Sequence, residues 1–81
     1  METKVALIGI IVENRDSVAQ LNQLLGEFSE WIVGRMGLPY RPKNVNIISI
    51  VIDAPQDKIN ALSGKIGRLE GVRSKVTYSG V

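Results

Sequence analysis

Val45-Asn46-Ile47-Ile48-Ser49-Ile50-Val51-Ile52, closed by Asp53-Ala54-Pro55, is the stretch whose reading decides the fold. It is rich in Ile and Val, and β-branched residues suit a pleated strand. Successive strand residues point to opposite faces of a sheet. Ile48, Ile50 and Ile52 therefore take one face, and Val45, Ile47 and Val51 the other. A strand that is apolar on both faces has to be covered on both. Lys4–Glu13 (KVALIGIIVE) has the same character, with Ile8, Ile10 and Val12 on one face and Val5, Leu7 and Ile11, with Gly9 among them, on the other. A buried helix is the rival reading of that run. Its β-branched content and the polar break Glu13-Asn14-Arg15-Asp16 favour a strand.

The rest of the chain fits around these two strands. Asp16 or Ser17 suits a helix N-cap. Val18, Leu21, Leu25 and Phe28 then recur at helical spacing, with Leu24 beside them, to an end near Ser29. Trp31–Arg41 reads as a strand carrying Gly34, Gly37 and Pro39. Proline cannot donate to a ladder, so this strand belongs at an edge, and its glycines suggest a bulge or a close backbone approach. Pro42-Lys43-Asn44 is turn chemistry. Pro55 suits a first helical turn, and Ile59, Leu62, Ile66 and Leu69 form a second stripe. Gly71 is placed as a left-handed stop. Val72–Ser79 alternates, Val72, Ser74, Val76 and Tyr78 against Arg73, Lys75 and Thr77, as a second edge strand, and Gly80-Val81 is a tail.

The order is β-α-β-β-α-β. It predicts an α+β, ferredoxin-like domain over residues 1–81, a four-stranded antiparallel sheet with two helices on one face. In that arrangement the first and third strands are central, in agreement with their apolar character. The helices cover one face, and the other keeps either Leu7, Ile11, Ile47 and Val51 or Ile8, Ile10, Ile48 and Ile50. An exposed apolar surface of this kind marks an interaction site. A fully buried aliphatic side chain contributes about 1.5–3 kcal/mol, so a homodimer or tetramer is expected. The other reading is a monomer whose loops, tail and Trp31 cover the face. Trp31 and Tyr40 bracket the edge strand and fit either interface anchors or core filling.

Composition narrows the chemistry. The 81 residues contain no Cys and no His. That removes disulfides, thiol catalysis, the usual zinc, nickel or copper ligands and the commonest general base near neutral pH. The net charge is +2, from ten basic and eight acidic residues, a mild bias rather than a nucleic-acid footprint. Direct nucleic-acid binding would fall to Arg35, Arg41, Lys43 and Arg68, and is not expected to be the main role. The run Val5–Val12 is too short to span a bilayer, which takes about twenty residues, and has no signal-peptide cleavage site. A cytoplasmic protein without a membrane partner is expected.

No Ser/His, Cys/His or paired-carboxylate set is present, so no catalytic residue, metal site or cofactor is assigned and no enzyme activity is expected. Ser63-Gly64-Lys65-Ile66-Gly67-Arg68 is glycine-dotted and basic, but it lies on the second helical stripe and lacks nucleotide-loop spacing. The loop Glu13-Asn14-Arg15-Asp16 leads from a central strand into a helix start, where free N–H groups favour anions. It fits a solvated, capping turn or a small ligand site.

The segments ALIGIIVENR (Ala6–Arg15), GRMGLPYR (Gly34–Arg41), IISIVIDAP (Ile47–Pro55) and LSGKIGRLEGV (Leu62–Val72) resemble the iron-only hydrogenase system regulators. That resemblance implies a ferredoxin-like fold similar to ACT domains and to the C-terminal regulatory domain of the nickel-responsive repressor. It implies a dimeric or tetrameric regulatory module, transcriptional or acting in maturation. Nickel sensing does not carry over, because the repressor's His and Cys ligands have no counterpart here. The repressor's ribbon–helix–helix segment is not matched either, since Met1 is followed almost at once by the first strand, so a transcriptional role would need a partner. ACT domains bind amino-acid-like effectors at subunit interfaces near the loop after the first strand. By that resemblance Asn14, Arg15, Asp16 and Ser17 would contact a small anionic or amino-acid-like ligand, although Asp16-Ser17 replaces the usual Pro-Gly. The interface expected from the residues themselves takes in Leu7, Ile11, Trp31, Tyr40, Ile47 and Val51. The alternative is a scaffold or adaptor that binds a protein partner and no ligand.

Overall fold

A computed structural model describes residues 2–80. Met1 and Val81, the ends of the expected domain and tail, lie outside them. The elements run β1 (Lys4–Val12), α1 (Val18–Glu27), β2 (Ile32–Tyr40), β3 (Val45–Ala54), α2 (Gln56–Gly67) and β4 (Val72–Tyr78). Three short 3-10 turns, Arg15–Ser17, Ser29–Trp31 and Arg41–Lys43, join them. The sheet order is β2-β3-β1-β4, and every neighbouring pair is antiparallel. This is the ferredoxin-like arrangement, with the two most apolar strands in the middle and the Pro- and charge-bearing strands at the edges.

Register assigns each face. β1 pairs with β3 through Ile8↔Ile50 and Ile10↔Ile48, and with Leu7↔Val51 and Ile11↔Ile47 between them. Residues directly opposite one another share a face. Ala6, Ile8, Ile10, Val12, Ile48, Ile50, Ile52 and Ala54 are buried beneath the helices with Leu21, Leu25, Phe28, Ile59, Leu62 and Ile66. The two helical stripes thus meet the sheet as their spacing predicts. Across the helices, the Lys65 ammonium lies 5.6 Å from the Phe28 ring centroid.

Several local expectations are corrected. Pro55 is the N-cap of α2 rather than a residue of its first turn. Helix α1 ends at Glu27, two residues before Ser29, because Phe28 has already left helical geometry (φ −103°, ψ 14°). Helix α2 ends at Gly67, so Gly71, although left-handed at φ +69°, shapes the turn into β4 rather than the helix end itself. Helix glycines can mark close packing, but Gly26, Gly64 and Gly67 have nothing within 4 Å of a Cβ placed on them. The expected bulge in β2 lies at Val33, where the register steps from Ile32↔Ile52 to Gly34↔Val51.

Candidate functional site

The open face of the sheet is built from rows of side chains. One row is Gly34, Val51, Leu7 and Thr77; the next is Met36, Ser49, Gly9 and Lys75; the third is Leu38, Ile47, Ile11 and Arg73. Tyr40 and Val45 form the start of a fourth. Of the two candidate sets, Leu7, Ile11, Ile47 and Val51 is therefore the open one, and Ile8, Ile10, Ile48 and Ile50 is core. The four open residues are 46%, 43%, 39% and 37% exposed. Over half of each is already covered by neighbours, so full burial would add only about 0.6–1.3 kcal/mol apiece.

Trp31 does not join this face: it is half-buried against the core from the turn ahead of β2. Tyr40 does join it, and it is exposed. Two further apolar residues, Met36 and Leu38, are exposed there as well. Their period-two spacing with Tyr40 is the sequence signal that the glycines and proline of this strand obscure.

At the centre of the face Gly9 and Ser49 leave a trough of about 490 Å³, walled by Ile11 and Ile47 and flanked by Arg73 and Lys75. Arg73 is held by Glu13 at 3.1 Å. Both members of that pair are well exposed, so it contributes little to stability.

The loop after β1 is tied inward. Asn14 Oδ1 accepts from the Asp16 N–H at 3.0 Å. Ser17 is buried, and its hydroxyl donates to the Glu70 carbonyl at 2.6 Å instead of capping α1. The Glu13 N–H donates to the Gly71 carbonyl at 2.7 Å. Ser17 and the Glu13 backbone thus fasten the loop to the turn before β4, Asn14 ties the loop to itself, and Arg15 is the loop's exposed cation. It lines a cleft with Tyr40, Arg41, Asn44 and Asn46, which the Val12↔Asn46 pairing sets at the same end of the sheet.

The four basic residues considered for nucleic acid are dispersed. Arg35 donates to Asn22 Oδ1 at 3.1 Å. Arg41 and Lys43 lie in the turn between β2 and β3, and Arg68 borders a groove between the helices. Among the described residues no three His, Cys, Asp or Glu side chains gather to hold a metal, and no helix is long and apolar enough to cross a membrane.

Strand order, helix placement and the open sheet face define an ACT-like domain of the ferredoxin-like class. The ACT domain of the GTP pyrophosphokinase from Chlorobium tepidum superposes with a TM-score of 0.64 at 19% identity, over 100% of this chain and 91% of that one. A formyltetrahydrofolate deformylase from Pseudomonas putida KT2440 also gives 0.64, at 11% identity, over 90% of this chain and 28% of its own. These likenesses concern the fold alone. More specifically, residues 4–76 match the TM1266-like family, described as "Iron-only hydrogenase system regulator, putative", and the chain belongs to that family. The structure of TM1266 from Thermotoga maritima is similar to it at a TM-score of 0.91 and 40% identity, over 95% of this chain and 98% of that one. No curated protein matches the chain.

Proposed function

We propose that this protein is a non-catalytic regulatory module of an iron-only hydrogenase system that works as a homo-oligomer. In this reading it self-associates through the open sheet face and takes a small anionic or amino-acid-like ligand beside the loop Asn14–Ser17. The observation that carries the reading is the apolar open face: Leu7, Ile11, Met36, Leu38, Ile47 and Val51 all remain exposed on it. Membership of the regulator family supports the role. Water-facing aliphatic side chains gathered on one face favour a contact that removes them from solvent. Sedimentation velocity at micromolar concentration tests the assembly. A species of twice or four times 8.9 kDa is expected, and a single 8.9 kDa species at all concentrations overturns it.

A second reading has its own support. Asn14 and Ser17 spend their side chains on the fold, which suits an adaptor that binds a protein partner through the sheet face and takes no ligand. Thermal-shift screening with amino acids and phosphorylated metabolites separates the two. Stabilisation that is lost on Arg15→Gln supports the ligand-binding module, and no stabilisation by any compound supports the adaptor.

A further inference from the structure

Two arginines from distant parts of the chain line one cleft. Arg15 stands in the turn between β1 and α1, and Arg41 opens the turn between β2 and β3. The cleft measures about 160 Å³, and Tyr40, Asn44 and Asn46 complete its polar lining. No acidic residue lines it. Elsewhere the arginines of the sheet have acceptors, Arg35 at Asn22 and Arg73 at Glu13. Among the described residues Arg15 and Arg41 have none. The backbone around Arg41 is nevertheless fixed. Asn44 is left-handed at φ 54°, and its N–H donates to the Arg41 carbonyl at 3.0 Å.

Two guanidinium groups beside one small cleft repel each other, and an anion seated between them turns that repulsion into two charge-assisted contacts. A carboxylate offers two oxygens and one charge. A phosphoryl group offers three terminal oxygens and close to two charges, which matches two guanidinium forks with side-chain amides beside them. We propose that this cleft binds the phosphoryl group of a small phosphorylated compound, held by Arg15 and Arg41 and bordered by the amides of Asn44 and Asn46. The volume accommodates the oxyanion and little more, so the rest of such a ligand extends outward past Tyr40. This deepens the reading of the Arg15 loop as a ligand-binding element and does not depend on self-association.

The test is a titration of the ¹⁵N-labelled chain with inorganic phosphate at constant ionic strength set with sodium chloride. Acetate and phenyl phosphate are titrated in parallel. Saturable amide shifts centred on Arg15, Arg41 and Asn44 are expected, with phosphate at least tenfold tighter than acetate. Tighter binding of phenyl phosphate than of inorganic phosphate supports a phosphorylated compound as the natural ligand, and equal or weaker binding overturns that part in favour of free phosphate. Arg15→Gln and Arg41→Gln, both at exposed positions, should each weaken phosphate at least tenfold, while Arg68→Gln, outside the cleft, should not. Shifts that do not saturate, or an affinity indifferent to both cleft substitutions, overturn the proposal. Sedimentation in the same buffers separates the two ideas: an oligomer that ignores phosphate removes only this inference, and a monomer that binds it removes only the assembly.

Discussion

Gly71 and Asn14 lie so close that a Cβ built on Gly71 would stand 2.6 Å from the Asn14 Cβ and 3.0 Å from its backbone nitrogen. Gly71 also has φ +69°. A side chain there meets two penalties, the left-handed conformation at about 1–2 kcal/mol and overpacking at about 1–3 kcal/mol. Gly71→Ala is therefore expected to destabilise the fold by about 2–5 kcal/mol in urea unfolding. A loss below about 1 kcal/mol would mean that the two loops part without cost and do not form a rigid junction.

Ser17 tests the same junction from the turn that leads into α1. Its buried hydroxyl spans from the start of α1 to the Glu70 carbonyl. Ser17→Ala removes that hydrogen bond at a partly buried position, which costs about 0.5–1.5 kcal/mol. Ser17→Thr keeps the hydroxyl and should recover part of the loss if the extra methyl is accommodated. Were Ser17 only a helix cap, Ser17→Asp, an equally good capping residue, would retain stability; a carboxylate cannot donate to the Glu70 carbonyl, so a loss is expected.

The fold was legible because the decisive information is periodic. Period-two burial in Val45–Ile52 and Val5–Val12 and helical stripes at Leu21–Leu25 and Ile59–Leu62–Ile66 each specify an element and its face. The family was legible from segments such as GRMGLPYR (Gly34–Arg41). The site was less so. Met36 and Leu38 sit among glycines and a proline that mark an edge, and edge character says nothing about which face a residue shares with β3. Arg15 and Arg41 lie in separate turns, and only the pairing of β1 with β3, ending at Val12↔Asn46, brings the Arg41 turn to the loop after β1. Trp31 was open between core and interface because a lone aromatic at a strand boundary carries no period.

Lys65 over Phe28 offers a check on how the helices are joined. The ammonium lies 5.6 Å from the ring centroid, and an exposed cation–π contact contributes about 0.5–1 kcal/mol. Lys65→Gln is expected to lower stability by that order, and Lys65→Arg to retain most of it. A double-mutant cycle with Phe28→Leu isolates the coupling; a coupling energy of zero would assign the loss to helix propensity alone.

Ile50 and Val51 are neighbours in sequence and face opposite ways, so they separate folding from assembly. Ile50 is fully buried beneath the helices. Truncating it to alanine removes packed methylenes and leaves a cavity, at an expected cost of about 2–5 kcal/mol. Val51 lies on the open face between Gly34 and Leu7. Val51→Asp places a charge where water already reaches in a free subunit, so the monomer should keep a native spectrum and most of its stability. In an assembly built through that face the same carboxylate would be buried without a partner, which is strongly unfavourable. Val51→Asp is therefore expected to shift the sedimentation profile to 8.9 kDa, while Ile50→Ala lowers the unfolding midpoint. An oligomer that survives both Val51→Asp and Ile47→Asp, at the two positions that flank the centre of the face on β3, would place the contact elsewhere on the molecule.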